Sequence, residues 1–159
     1  MPPITVILHT YNDELRLGRA LQTLLPCDEI LILDHGSTDT TLLIARQYAA
    51  GIRIASEQPP GGLVHFARYD WALVLEPSES VSEPLKAALF EWKLSSPSDL
   101  DGIPAFSVPV QEQTSEGWIA FDPATRLIPR TWNRWEALLP ANDMQANVLP
   151  GERLRFRRP

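Results

Sequence analysis

The sequence predicts an α/β fold in which a mostly parallel sheet carries helices on both faces. Short apolar runs alternate with segments of helical spacing through much of the first half of the chain. These runs have no polar side, which is typical of parallel strands covered on both faces. Clusters of polar, turn-forming residues follow three of the runs directly, at the end of an open sheet where ligands bind.

The first half of the chain follows a β-α-β-α-β order. The predicted elements are a strand at residues 4–8, a helix at 12–25, a strand at 29–33, a helix at 41–50 and a strand at 52–55. Asn12 or Asp13 is the predicted N-cap of the first helix, and Pro26 ends that helix. We expect right-handed crossovers between these strands.

The second half of the sequence has a less regular pattern of predicted elements. The stretch QPPGG at residues 58–62 predicts a break before a fourth strand at residues 71–75 and a helix at 82–93 with Ser82 as its N-cap. The following polar stretch, SSPSDLDG, predicts a loop. From residue 103 onward the pattern is β-like and irregular. The tail at residues 152–158 alternates Arg with Leu and Phe, which predicts an edge strand with its arginines in water.

Composition narrows the classes of function. The 159 residues are 44% hydrophobic and 21% charged, which fits one globular domain. The formal net charge of -6 argues against nucleic acid as a partner. A single cysteine, Cys27, excludes an internal disulfide and fits a reducing compartment. No apolar run approaches the ~20 residues of a membrane helix, and no basic region precedes the first strand, so we expect neither a transmembrane segment nor a signal peptide.

Three polar clusters should meet at one edge of the sheet. They are HTYN at residues 9–12, DHGSTD at 34–39 and EPSE at 76–79. Each cluster alone fits a turn or a helix cap, whereas their common position favours a binding site. Tyr11 offers a flat ring for stacking a base, and Asp34 offers a carboxylate to a base or ribose.

Two motifs in register give a family resemblance. The TYND turn and the DHGSTDTT turn, with the strands and helices around them, resemble the N-terminal part of family 2 glycosyltransferases of the GT-A fold. The resemblance covers residues 4–56 well and residues 70–93 moderately, and it is strongest toward the lipopolysaccharide-core glucosyltransferase-like branch. Near the C-terminus, ATRLIPRTWNRWE resembles a further family segment. The resemblance implies a GT-A-like, Rossmann-like sheet with an irregular β-rich C-terminal part.

The resemblance also implies a function and roles for individual residues. A sugar would pass from a nucleotide-sugar donor to a cell-envelope lipid or polysaccharide, in the cytoplasm or peripherally at the inner membrane face. Thr10 and Tyr11 would lie at the nucleobase pocket, Asp34 would bind the base or ribose, and Asp39 would be structural or nucleotide-binding. We expect one domain over residues 1–159, with a nucleotide-binding α/β half at 1–94 and an acceptor-side half at 95–159.

The turn at residues 76–79 departs from the family pattern. The family has a D-x-D there, which holds Mg²⁺ or Mn²⁺ on the diphosphate. Glu76 replaces the first aspartate, Pro77 the central residue and Ser78 the second aspartate, while Glu79 matches the acidic residue that follows. Glu76 and Glu79 are therefore the candidate metal ligands, and their alternative is a pair of solvated acids.

The catalytic base is the second departure. The family's C-terminal base motif is absent after NRWEALLP, and Glu136 and Asp143 are the nearby carboxylate candidates.

Three functions stay open on the sequence alone. The chain is an active glycosyltransferase, a catalytically inactive relative that serves as a nucleotide-binding or interaction module, or a structural domain without a ligand. The two intact N-terminal motifs argue against the structural domain. The altered metal turn and the missing base motif favour the inactive relative on chemistry, whereas the family resemblance favours the enzyme.

Overall fold

The computed structural model describes residues 2–48, 50–54 and 63–157. The strands are β1 (Ile4–Thr10), β2 (Glu29–Asp34), β3 (Gly51–Ile54), β4 (Trp71–Leu75), β5 (Glu79–Val81), β6 (Phe106–Thr114), β7 (Gly117–Pro129), β8 (Trp135–Glu136), β9 (Leu139–Pro140), β10 (Asn147–Val148) and β11 (Arg153–Arg155). The helices are α1 (Leu17–Leu21), α2 (Thr41–Gln47), α3 (Glu83–Trp92) and α4 (Pro97–Leu100), with a 3-10 helix at Val64–Phe66. The break predicted at residues 58–62 lies outside the described residues.

One large mixed sheet organises the molecule. Its strands run in the order β3-β2-β1-β4-β7-β6-β11-β5, and β10 adds to β6. The strands β3, β2, β1 and β4 are parallel to one another, whereas β7 pairs with both of its neighbours in the antiparallel sense. The prediction of an α/β fold with a mostly parallel sheet is therefore confirmed. The pairing of β4 with β7 joins the regular first half to the β-rich second half.

The two faces of the sheet bury two different clusters. Ile4, Val6 and Leu8 of β1 belong to the first cluster, which also receives the buried side chains of α1, α2 and α3. Ile7 of β1 points to the other face, where the cover comes from residues 63–67 and from a loop that carries Trp132. This alternation along β1 is the period of two that a strand imposes on its side chains.

Helix ends follow local side-chain chemistry. Ser82 is the N-cap of α3, as predicted, and its Oγ accepts a hydrogen bond from the Leu85 amide at 3.2 Å. The prediction for α1 is wrong in its start: Asn12 has a φ of 51° and α1 begins only at Leu17. Asp13 bends the intervening residues into a turn, because its carboxylate accepts from the Tyr11 amide at 2.9 Å and binds Arg16.

The stretch SSPSDLDG, predicted as a loop, contains the one-turn helix α4. Ser96 and Asp99 form a capping box in which each side chain accepts a hydrogen bond from the other residue's amide.

The predicted edge strand at the C-terminal end is wrong. β11 lies inside the sheet, parallel to β6 and antiparallel to β5. Arg153 is buried with 1% of its surface exposed, because the carboxylate of Glu79 on β5 neutralises it. An alternating Arg pattern indicates a solvated face only when no such acid lies on the neighbouring strand.

Among the described residues, none of the helices has the length and apolar character needed to cross a bilayer.

Gly151 sets the approach of the chain to α3 just before β11. Its φ is +98°, and a Cβ placed on it would lie 2.4 Å from the backbone nitrogen of Leu85. Only glycine satisfies both the left-handed backbone and the close approach.

We predict that Gly151→Ala lowers the free energy of unfolding by about 3 kcal/mol, since it adds a backbone clash to the strain of a positive φ. Gly102→Ala is the matched control, because Gly102 has a φ of +77° and a Cβ placed on it would meet nothing within 4 Å. The control should lose only about 1 kcal/mol. Urea denaturation of both variants measures the difference, and equal losses would show that the contact with α3 is unimportant.

Candidate functional site

Strand register brings the three predicted clusters together. Thr10 pairs with Asp34 in the parallel ladder of β1 and β2, and Leu8 pairs with Leu75 in that of β1 and β4. Glu76 follows Leu75 directly, so the clusters after β1, β2 and β4 share the carboxyl edge of the sheet. This is the edge at which open α/β sheets bind ligands.

A cleft of about 730 Å³ opens at this edge. Its walls come from the ends of β1, β2 and β4 and from the hairpin of β8 and β9. The lining residues are His9, Thr10, Tyr11, Asp13, Arg16, His35, Leu75, Glu76, Pro77, Ser78, Leu138 and Leu139. Tyr11 is 61% exposed, so its ring face is available for stacking. The volume suits a small-molecule ligand.

Asp34 is the hub beneath the cleft. It is almost fully buried and accepts hydrogen bonds from the Thr10 hydroxyl at 2.7 Å, the Ser37 hydroxyl at 2.6 Å and the amides of Gly36 and Ser37. Burial alone would raise the pKa of Asp34, but the hydrogen bonds from Ser37, Thr10 and Gly36 outweigh it and lower the pKa below its ordinary value. Asp34 therefore stays ionised and holds the loop after β2 against the end of β1.

Hydrogen bonds cross-link the loops after β1 and β2. The amide of Asn12 donates to the Ser37 hydroxyl, and its side-chain oxygen accepts from the Thr38 amide, both at 2.8 Å. Asp39 accepts from the Thr41 amide at 2.9 Å and from the Glu14 amide at 3.3 Å. Burial acts to raise the pKa of Asp39, yet these hydrogen bonds lower it. Asp39 thus braces the two loops and lies outside the cleft lining.

Two histidines form one unit in the cleft wall. Nδ1 of His9 lies 2.8 Å from Nε2 of His35, and the two rings stack with centroids 5.1 Å apart. One of these two nitrogens donates a hydrogen bond and the other accepts it, so the contact links the tautomers of the two rings. Both rings line the cleft, whereas the sequence favours a separate hydrogen-bonding role for each histidine over a metal-binding pair.

Glu79 is committed to an internal ion pair. Its side chain is fully buried, its Oε2 accepts from Arg153 Nη1 at 2.6 Å and from Arg155 Nη2 at 3.2 Å, and its Oε1 accepts from the Glu76 amide at 3.0 Å. Arg153 also donates to the carbonyl of Val108 at 3.2 Å. Burial lowers the pKa of Arg153 to about 10, and the charge of Glu79 opposes this shift.

The turn at residues 76–79 does not fit a divalent cation in this arrangement. Both oxygens of Glu79 already have partners, Ser78 is neutral, and Oε2 of Glu76 lies 3.7 Å from Arg155 Nη2. Within residues 2–48, 50–54 and 63–157, no group of three or more His, Cys, Asp or Glu side chains converges as metal ligands. A cation that used Glu79 as a ligand would have to displace a guanidinium from its carboxylate.

The two candidate bases differ in position. Glu136 pairs with Leu139 in the β8–β9 hairpin, and Leu138 and Leu139 of that hairpin line the cleft. Asp143 is bound to Arg134 and accepts from the Gln145 amide at 2.7 Å. The hydrogen bonds from Gln145 and Arg134 lower the pKa of Asp143, which weakens it as a base. Neither carboxylate is itself part of the lining.

The structure thus brings together only part of the predicted set. Thr10, Tyr11 and Glu76 meet at the cleft, whereas Asp34, Asp39 and Glu79 lie behind it in internal bonds. Sequence reasoning missed the lining residues Asp13 and Arg16 as a pair. Their spacing of three residues could have indicated this ion pair, since residues three apart face each other on a helical turn.

Comparison with known proteins gives two sequence matches. Residues 5–63 match the model of the family described as glycosyl transferase family 2. A protein of Rickettsia typhi, named an uncharacterized glycosyltransferase, is 30% identical over 91 residues. That alignment covers 54% of this chain and 31% of the relative, so the chain spans less than a third of the curated relative it matches.

Solved structures extend the likeness to nearly the whole chain. Glucosyl-3-phosphoglycerate synthase from Mycobacterium tuberculosis, in complex with Mn²⁺, uridine diphosphate and glucosyl-3-phosphoglycerate, aligns with a TM-score of 0.58 at 16% identity over 99% of this chain and 73% of that chain. The fold is of the GT-A type. S. aureus TarS aligns with a TM-score of 0.59 at 16% identity, over 98% of this chain and 37% of that chain.

We predict that Glu79→Gln destabilises the protein by about 3–5 kcal/mol, because it leaves the charge of Arg153 buried without its counter-ion. Glu83→Gln is the control, since Glu83 pairs with Lys86 on the surface and its side chain is 85% exposed. The control should cost less than about 1 kcal/mol. Thermal unfolding at neutral pH compares the two, and a Glu79→Gln variant as stable as the control would contradict a structural role for this pair.

Proposed function

We propose that the chain binds a nucleotide-sugar donor in the cleft and transfers the sugar to an acceptor hydroxyl. The observation that carries the proposal is the convergence of Thr10, Tyr11 and Glu76 on one cleft at the carboxyl edge of a GT-A-type sheet. The match of residues 5–63 to glycosyl transferase family 2 supports the same chemistry.

The cleft offers a separate surface to each part of a donor. The exposed ring of Tyr11 provides a stacking face for the nucleobase. Asp34 and Asp39 act indirectly, by fixing the loops that carry Tyr11 and the neighbouring amides. Glu76, Pro77 and Ser78 lie in the wall expected to face the diphosphate.

Transfer requires a simple balance of bonds. The acceptor oxygen attacks the anomeric carbon, the bond from that carbon to the diphosphate oxygen breaks, and the nucleoside diphosphate leaves with the electron pair. The proton of the acceptor hydroxyl passes to a base. Glu136 is our proposed base, since its hairpin forms one wall of the cleft and Asp143 is held by Arg134.

The proposal also includes the class of acceptor. A cell-envelope lipid or polysaccharide follows from the resemblance to the lipopolysaccharide-core branch, with the protein in the cytoplasm or peripheral at the inner membrane face. The solved relatives bind different molecules, among them phosphoglycerate derivatives.

A nucleotide-binding module without turnover is the second candidate. The burial of Glu79 against Arg153 and the position of both candidate bases outside the lining favour it. A binding module would use the same cleft as the proposed enzyme and would lack only the transfer of the sugar.

We predict that one of UDP, GDP and dTDP binds this cleft and that Tyr11→Ala weakens the binding about tenfold, as expected for the loss of base stacking. Tyr69→Ala is the control, because Tyr69 precedes β4 at the opposite end of the sheet. Isothermal titration calorimetry with each nucleotide, with and without Mn²⁺, provides the measurement. Absence of binding for all three would reject both the enzyme and the module.

We predict that Glu136→Gln lowers sugar transfer about a hundredfold and leaves the nucleotide Kd unchanged, because a base acts only in the chemical step. Asp143→Asn should retain most of the rate. Release of nucleoside diphosphate from UDP-, GDP- and dTDP-sugars, measured with and without a cell-envelope lipid extract, follows the reaction. A wild-type protein that binds nucleotide but releases none from any donor would establish the module instead.

A further inference from the structure

Arginines surround the turn at residues 76–79. Arg16, Arg19 and Arg157 line a small depression together with Pro77 and Ser78. Arg153 and Arg155 bind Glu79, and Arg126 lies close enough to interact electrostatically with Glu79 and Glu76. We call these six residues the arginine shell. The carboxylates that interact with the shell within the described part of the chain are Asp13, Glu76, Glu79 and, through Arg126, Glu136. Six guanidinium groups thus face four carboxylates, and the turn lies in a net positive field.

One member of the shell is a buried cation without a close counter-ion. Arg126 is 7% exposed, and its Nη1 donates to the carbonyl of Thr125 at 2.8 Å. Its Nε has no hydrogen-bond partner, and no carboxylate of the described residues lies within ion-pair distance of it. A buried charge in this state is costly, so the field of an anion nearby would stabilise it.

Arg155 is the member that contacts Glu76 in the wall of the cleft. Its side chain is 29% exposed, and its Nη2 lies 3.7 Å from Oε2 of Glu76, which lines the cleft. Its Nε is buried and has no partner. Arg16 itself lines the cleft, where Asp13 orients it through Nε at 3.0 Å. One guanidinium group thus binds the acids of the turn, and the other lines the cleft beside Pro77 and Ser78.

We infer that the arginine shell takes the place of a divalent cation, so that the cleft binds the diphosphate of a nucleotide without Mg²⁺ or Mn²⁺. Arg155 and Arg16 supply the charge next to the turn, and Arg126 and Arg153 strengthen the field from behind it. Guanidinium groups suit this task because their planar forks match the oxygens of phosphate. The inference rests on the proposed function, since it concerns the same nucleotide at the same cleft.

The geometry of Glu79 supports this replacement over a metal site that fills on substrate binding. Both of its oxygens are held, one by Arg153 and Arg155 and the other by the amide of Glu76. A cation that took Glu79 as a ligand would leave the buried charge of Arg153 without its counter-ion. A diphosphate that binds beside Arg155 leaves the pair of Glu79 and Arg153 intact.

Calorimetry with UDP, GDP and dTDP, each in EDTA and in Mn²⁺, tests the inference on the wild-type chain. The Kd of the nucleotide that binds should agree within about twofold between the two conditions. A Kd that falls tenfold or more with Mn²⁺ would overturn the inference and leave the proposed function intact. Absence of binding in both conditions would overturn the two together.

Variants of Arg155 provide a second test of the inference. Arg155→Gln should weaken nucleotide binding in EDTA about tenfold, and Arg155→Lys should fall between it and the wild type, since lysine keeps the charge and loses the fork. Arg130→Gln is the matched control, because Arg130 also lies at a strand end but contacts Ala67 and Asp70 at the opposite edge of the sheet. Unchanged binding in Arg155→Gln, with folding verified by circular dichroism, would overturn the assignment of Arg155.

Discussion

The buried ion pair between Glu79 and Arg153 is the contact on which this edge of the sheet depends. It joins β5 to β11, and Arg153 extends the connection to β6 through the carbonyl of Val108. The amide of Phe156 adds a bond to the carbonyl of Ser78 at 3.0 Å. Removing two charges from water is costly, and the hydrogen bonds that Glu79 accepts from Arg153, Arg155 and the Glu76 amide offset part of that cost, while Nε of Arg153 has no partner. The conformation of the turn that borders the cleft is a consequence of this pair.

The opposite wall of the cleft gains its order from uncharged contacts as well as charged ones. Asp34 gathers the end of β1 and the loop after β2, and Asn12 and Asp39 bind the two loops to each other. A ligand that enters the cleft meets loops that these hydrogen bonds already hold in position, so the protein loses little conformational entropy on binding. The carboxylates of Asp34 and Asp39 thus organise the site, while Tyr11, Glu76 and the histidine pair form part of its surface.

The regular half of the fold could be predicted because its information is local. The continuous apolar run of β1 and the cap at Ser82 are visible within a few residues of sequence. The start of α1 could not, since Asn12 adopts a left-handed backbone that its helical surroundings do not indicate. The place of β11 could not be predicted for a different reason: the partner of Arg153 lies 74 residues earlier in the chain. Periodicity describes which residues share a face, and it carries no information about a counter-charge on a distant strand.

The position of β11 has a consequence for the order of assembly. β5 lies near the middle of the chain, yet its partner in the sheet is the late strand that carries Arg153. During synthesis, the acid at Glu79 must remain hydrated until that strand has emerged and inserted between β5 and β6. The loop that closes is long and the contact non-local, so this step comes late in folding. Burying the carboxylate of Glu79 without Arg153 would be costly, so this part of the sheet becomes buried only when β11 is in place.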